Sequence, residues 1–197
     1  SHNFIIIGIF HMTQTHIILV RHGEAASSWS EHPDPGLSAD GIAQADRVSK
    51  TFRGNFLSYK LCSSPKSRAI ETMKPIALEQ AKEFIIQDIF SEIPSHDIQS
   101  EHKQAWLKNV FQLPLEELPD PVKVWRQDLI QWLESCAENA IITTHFMVIN
   151  ALVSYLTKQN TIAYFHPSYT SRTEIWLKGG SLTKLMLGDD KKTVINL

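Results

Sequence analysis

The sequence predicts an α/β protein, a three-layer α/β/α sandwich with a mostly parallel central sheet. Three observations carry that expectation. Short apolar runs near 17–20, 59–62, 84–86 and 140–144 alternate with stretches whose apolar residues recur at helical spacing. Such alternation builds parallel strands joined by helices that cover both faces of the sheet. Two of the runs end directly on histidines, at Arg21-His22 and Thr144-His145, as suits an open sheet whose ligand sits beyond the carboxyl ends of its strands. Finally, 197 residues without an internal repeat, low-complexity run or linker suffice for one well-packed domain.

Residues 1–11 include the apolar run Phe4-Ile5-Ile6-Ile7-Gly8-Ile9-Phe10, too short to span a bilayer. They lack the basic region and cleavage site of a signal peptide, and His11-Met12 reads as a cloning junction. Residues 1–11 are therefore expected to be an expression leader, and 12–197 a single domain. His16–Val20 is the first strand, with Gly23 allowing a sharp turn after it. Residues 25–36, punctuated by Pro33 and Pro35, form a loop. Leu37-Ser38-Ala39-Asp40-Gly41 opens a helix with Ser38 as N-cap, and Ile42, Ala45, Val48 and Phe52 share its inward face.

Tyr59–Cys62 is a second strand. The helix after it turns Ala69, Ile70, Met73 and Ala77 inward, and Pro75 should kink it or split it in two. Phe84–Ile86 suggests a third strand. The segment 88–121 reads as a lid-like insertion in which Trp106, Val110 and Leu113 hint at one amphipathic helix. Val122, Trp125, Leu129, Trp132, Leu133 and Cys136 form a clear stripe on the next helix, which Asn139 should end. Ala140–Thr144 is a buried strand, followed by a helix with Val148, Leu152 and Leu156 inward. Thr173–Leu177 and Leu182–Leu187 form a hairpin through Gly179-Gly180.

Composition narrows the partners. With 43% hydrophobic and 20% charged residues and a net charge of -2, nothing calls for nucleic acid or a membrane surface. Any anion site must be a local concentration of positive charge. Cys62 and Cys136 form no ligand pattern and read as buried thiols of a reducing, cytoplasmic compartment. No clustered carboxylates suggest a metal site, and no cofactor is expected. His96, His102 and His166 read as loop or surface residues, and Trp106, Trp125 and Trp132 as packing residues.

Three stretches together resemble the histidine phosphatase superfamily, the phosphoglycerate mutase-like enzymes. They are Leu19-Val20-Arg21-His22-Gly23-Glu24, then Ser63-Ser64-Pro65-Lys66-Ser67-Arg68-Ala69-Ile70-Glu71-Thr72, then Thr143-Thr144-His145. Leu37–Gly41 with Gln44-Ala45 adds a weaker match. The resemblance implies a phosphoglycerate mutase-like fold and a nucleophilic His22 that carries the phosphoryl group as a covalent intermediate. It implies that Arg21 and Arg68 grip the phosphate, with His145 as the second histidine. Planar guanidiniums meet phosphate oxygens in bidentate fashion, and their charge keeps a neighbouring imidazole neutral.

By position Glu92 matches the family's proton donor, although Pro94-Ser95-His96 replaces the usual glycine-containing pattern after it. Asp88, Asp97 and Glu101 are fallback acids. Ser28 stands where the mutase-like branch places a phosphate-touching asparagine, and its hydroxyl can still donate. Phe146 replaces the glycine common after the second histidine and should narrow or redirect the pocket. Glu24 is expected to be structural or to orient an arginine, Lys66 either adds to the phosphate field or is exposed, and Arg172 is expected to be solvated rather than to reach the pocket.

The implied activity is metal-independent hydrolysis of a small phosphorylated metabolite. The alternatives are a phosphoglycerate mutase, a phosphohistidine-protein phosphatase and a non-catalytic phosphate-binding module. The short chain favours hydrolysis over mutase chemistry, because the mutases it resembles are longer. A homodimer is compatible with the sequence and not required by it.

Overall fold

The structure is a computed structural model that describes residues 13–26 and 32–197. The expected leader and Ser28 lie outside the described residues. Strands β1 (Gln14–Arg21), β2 (Lys60–Ser63), β3 (Ile85–Ile86), β4 (Ala140–Thr144), β5 (Arg172–Lys178) and β6 (Ser181–Met186) form one sheet in the order β3-β2-β4-β1-β5-β6. β1, β2, β3 and β4 run parallel, whereas β5 is antiparallel to both β1 and β6. The mostly parallel sheet thus carries an antiparallel hairpin at one edge. Its turn, Gly179-Gly180, has positive φ at both residues, a twist that matches a tight hairpin and that glycine adopts without steric cost.

Alternation along β1 explains the three layers. Ile17 and Leu19 face one side, Ile18 and Val20 the other, and all four are fully buried, which stabilises by roughly 1.5–3 kcal/mol per side chain. Helices α1 (Ala39–Lys50) and α2 (Ser67–Gln80) cover Ile18 and Val20 through Val48, Met73, Ile76 and Ala77. Helices α3 (Lys103–Gln112), α4 (Asp120–Ser135) and α5 (Phe146–Leu156) cover the other side through Leu107, Val110, Leu129, Leu133 and most of α5. Ser38 caps α1 as expected, its Oγ accepting from the Gly41 N–H at 3.0 Å.

Several local expectations need correction. Ile42 is 61% exposed, because the buried face of α1 runs through Gly41, Ala45, Val48 and Ser49, and a residue one position after Gly41 is turned about 100° away from that line. Pro75 does not split α2, which runs unbroken from Ser67 to Gln80. Helix α4 ends at Ser135, four residues before Asn139. Asn139 instead joins two strands, its Oδ1 accepting from the His16 N–H at 2.8 Å. Helix α5 has no polar face: every residue from Phe146 to Ser154 is buried, as befits a helix enclosed on all sides. Between Asp88 and Pro121 the chain forms three short 3₁₀ turns and α3, and Trp125 ties this segment to α4 by donating from Nε1 to the Ser91 carbonyl at 2.9 Å. No helix among the described residues is long and apolar enough to cross a membrane.

Candidate active site

The parallel register of β1, β4 and β2 brings three carboxyl ends side by side. Arg21 pairs with Thr144, and Val20 and Ser63 both pair with Thr143. The chain leaves β1 at His22, β4 at His145 and β2 at Ser64, so the catalytic candidates come from distant sequence to one sheet end. Backbone bonds continue the sheet past the strands: the His22 N–H donates to the Thr144 carbonyl and the Ser64 N–H to the Thr143 carbonyl, both at 3.0 Å. Arg68 arrives from the first turn of α2. Thr72, one turn later, accepts from the Gly23 N–H at 3.0 Å and donates to the Arg68 carbonyl at 2.7 Å.

These side chains are packed against one another. Arg21, His22, Arg68 and His145 are each at most 1% exposed, and the two imidazole centroids lie 5.2 Å apart. His22 Nδ1 lies 2.7 Å from the Gly23 carbonyl oxygen. A carbonyl can only accept, so Nδ1 carries the proton and Nε2 is unprotonated, an acceptor. Arg68 Nε donates to that Nε2 at 3.3 Å. The same guanidinium reaches His145 Nδ1 through Nη2 at 3.4 Å, which places the His145 proton on Nε2, 2.7 Å from Ser64 Oγ. Burial first, then the Arg68 and Arg21 charges, hold the His22 imidazole well below its ordinary value. His145 is lowered likewise, by burial and then by Arg68. Lys66, half-buried at the N-cap of α2, adds to the positive field on His145.

Arg21 lies under two rings, 4.3 Å from the Tyr169 centroid and 5.3 Å from that of Phe146. Phe146 therefore packs on the arginine itself. Arg21 donates to the Pro167 carbonyl at 2.9 Å, to the Val194 carbonyl at 2.6 Å and to Thr193 Oγ1. Arg68 Nη2 donates to the Asn196 carbonyl at 3.4 Å. Neither guanidinium forms an ion pair with a described carboxylate. Arg21 Nε and Arg68 Nη1 are buried without any hydrogen-bond partner. Two buried cations with unused donors are costly unless an anion completes them.

Glu92 is buried beside the same arginines. Its Oε1 accepts from the Ile93 and Met147 N–H groups, both at 3.0 Å, so the carboxyl sits at the N-terminus of α5. Burial pushes this carboxyl up to about 7, against the backbone donors and the Arg68 and Arg21 charges, which favour its ionised form. An open groove of about 890 Å³ between α4 and the 88–94 segment reaches Glu92. The fallback acids Asp88, Asp97 and Glu101 are all exposed.

Other expected roles shift. Glu24 pairs with no arginine among the described residues and has the structural role instead: it accepts from Ser38 Oγ at 2.8 Å and thereby ties the loop after His22 to the start of α1. Arg172 is not solvated: its guanidinium lies 4.2 Å from the Phe52 centroid and donates to Thr51. His166 packs edge-on against Phe146, and His96 is exposed beside Asp97. Among the described residues no group of three or more His, Cys, Asp or Glu side chains could hold a metal ion. Sequence reasoning missed Ser64, Thr72, Tyr169 and the segment 193–197. Ser64 and Thr72 stood inside a quoted motif without a role; the others carried no signal.

The model of the histidine phosphatase superfamily (branch 1) matches residues 17–190. No curated protein matches the chain. Among solved structures, phosphoserine phosphatase from Entamoeba histolytica, in complex with 3-phosphoglyceric acid, is similar with a TM-score of 0.69 and 22% identity. The match covers 90% of this chain and 98% of that one. A mycobacterial glucosyl-3-phosphoglycerate phosphatase gives a TM-score of 0.66 and 16% identity, over 91% of this chain and 100% of that one. Phosphoglycerate mutase from Bacillus anthracis gives 0.63 and 14%, over 89% and 93%. These likenesses concern the fold. The family match spans both histidines and both arginines gathered at the sheet end, and the chain belongs to the histidine phosphatase superfamily (branch 1).

Proposed function

We propose that this protein hydrolyses phosphomonoesters of small metabolites through a phosphohistidine at His22. The observation that carries the reading is the pair of buried guanidiniums, without an acidic partner among the described residues, beside a neutral imidazole whose unprotonated Nε2 accepts from Arg68. A phosphate dianion placed there would accept from the Arg21 and Arg68 guanidiniums in charge-assisted bidentate bonds and engage their unused donors as well. Its charge would also raise the His145 pKa and let that imidazole protonate and donate.

In the first step His22 Nε2 attacks phosphorus, the bond to the ester oxygen breaks, and the proton of Glu92 goes to the departing alkoxide. In the second step water attacks the phosphohistidine, the N–P bond breaks, and the Glu92 carboxylate takes the proton from water. The arginines stabilise charge on the transferring oxygens throughout. Ser28 is proposed as a further donor to the phosphate, and the 88–121 segment as the part that sets specificity. The burial of Glu92 beside the arginines, with a pKa of about 7, favours an enzyme over a phosphate-binding module, which would need no proton donor.

Phosphate release from p-nitrophenyl phosphate between pH 5 and 8, with EDTA present, tests the reading. Wild type should turn over and His22→Ala should not. Equal rates in both proteins would remove His22 as nucleophile. Transfer between positions of phosphoglycerate without net phosphate release would replace hydrolysis by mutase chemistry.

A further inference from the structure

The two arginines that the proposed reaction assigns to phosphate are in contact with the chain itself. Segment 193–197 runs past β6 to the carboxyl end of the sheet. There the Val194 carbonyl and Thr193 Oγ1 accept from Arg21, and the Asn196 carbonyl accepts from Arg68. The segment is held at three further points. Tyr169 Oη donates to the Val194 carbonyl at 3.2 Å, Gln104 Nε2 of α3 donates to the Ile195 carbonyl at 2.9 Å, and Leu197 is buried in the core. With the segment in place His22 and Arg68 are each 1% exposed and His145 not at all, so a phosphate group has no contact with solvent-accessible donors.

We infer that segment 193–197 is an internal ligand of the phosphate cradle, whose backbone carbonyls stand in for phosphoryl oxygens, so that tail docking and anion binding exclude one another. The inference rests on the reading that Arg21 and Arg68 hold the substrate phosphate. Its physical basis is an exchange of acceptors. Neutral carbonyls satisfy part of two buried guanidiniums, and a dianion satisfies them better. The docked state therefore protects the cations until an anion arrives. Apparent affinity for phosphate is reduced by the fraction of molecules in which the segment is withdrawn. Recognition through carbonyls makes the plug insensitive to most side-chain changes in the segment, while the exposed Lys191 and Lys192 just before it keep its approach in solvent.

Inorganic phosphate is the probe. Its binding is measured by titration calorimetry to wild type, to a variant lacking residues 193–197 and to Gln104→Ala, which loosens the segment from an exposed position and touches neither arginine. In parallel, trypsin is added to wild type with and without phosphate, and release of the peptide beginning at Thr193 is timed. The shortened variant should bind phosphate roughly tenfold more tightly, Gln104→Ala should move the same way by less, and phosphate should speed release of the peptide. If removal of Leu197 unfolds the shortened variant, Gln104→Ala and the trypsin timing decide. Equal affinity across the folded proteins, or phosphate that slows release, overturns the plug and leaves the phosphatase reading intact. Absence of phosphate binding in every protein overturns the plug, and absence of His22-dependent turnover overturns the phosphatase reading separately.

Discussion

Replacement of Glu92 by glutamine separates the burial of this carboxyl from its proposed chemistry. The amide keeps an oxygen that can accept from the Ile93 and Met147 N–H groups, now both at 3.0 Å from Oε1. It removes the ionisation. The folded-state pKa, about 7, lies above the ordinary value of 4.5, so the folded protein holds this proton more tightly than the unfolded chain. Stability from this group is fully present below pH 4.5 and is lost as pH rises through about 7. The shift corresponds to about 3 kcal/mol. Glu92→Gln should therefore equal wild type near pH 4 and exceed it by up to about 3 kcal/mol at pH 8, or roughly 6–12 °C in the unfolding midpoint. Thermal melts across that range check it; a gap that does not widen with pH would refute the claim that the ionised carboxyl is desolvated. Catalysis should move oppositely. In the first step, measured as the pre-steady-state burst of released alcohol, an alkyl phosphate should slow by about 10²–10⁴ and p-nitrophenyl phosphate much less, because its leaving anion needs no proton. Equal losses in that burst would place the acid elsewhere.

Three further outcomes follow from the same geometry. Arg68→Ala removes the guanidinium that donates to both imidazoles; phosphate binding by calorimetry should be lost, and the His22 pKa, followed by NMR, should rise as that charge disappears. Ser64→Ala leaves the His145 Nε2 proton buried without its 2.7 Å partner, so chemical denaturation should show a loss of about 1–3 kcal/mol, with kcat falling more than KM rises. Gly41→Ala would place a methyl group 2.2 Å from the Glu24 carbonyl oxygen, a backbone atom that cannot swing away. Overpacking of this kind costs typically about 1–3 kcal/mol, measurable in the same melts, and the strain should reach His22 through the intervening Gly23 as weaker phosphate binding.

The parts of the fold that were legible in the sequence are those where one physical pattern dominates. β1 and β4 are short apolar runs, and each ends where a charged or polar site begins, so both their existence and their functional ends could be read. Ser38 declared itself as an N-cap by chemistry. Misreadings arose where two causes compete. Ile42 fits the spacing of Ala45 and Val48, but the buried line of α1 starts at Gly41, a residue without a side chain that hydropathy spacing passes over. Helix α5 is buried on every side from Phe146 to Ser154, Asn150 and Ser154 included, so no stripe along it marks an inward face. Asn139 has the residue type of a helix terminator, yet its amide is used to fix β1; long-range partners leave no local trace.

The site divides in the same way. Arg21, His22, Arg68 and His145 lay in motifs whose residue types the chemistry demands, and the sheet register then brings them together. Positioning groups are harder to read because their work is done through atoms that every residue has. The proton of His22 is fixed on Nδ1 by the carbonyl of the very next residue, and any amino acid at position 23 would supply that carbonyl. Glycine is needed there for a different reason, since a Cβ would stand 2.8 Å from the Gly41 carbonyl oxygen. The contacts of segment 193–197 with the arginines come largely from the carbonyls of Val194 and Asn196, so its sequence carries no charge or motif that points to the cradle. Beside Thr193 Oγ1 and the buried Leu197, the side chains that enter that docking belong to the partners: Tyr169 covers Arg21 while holding Val194, and Gln104 holds Ile195. The same tyrosine thus contacts both the arginine assigned to phosphate and the segment that occupies its place, which makes its hydroxyl the natural point at which exchange between the two would be set.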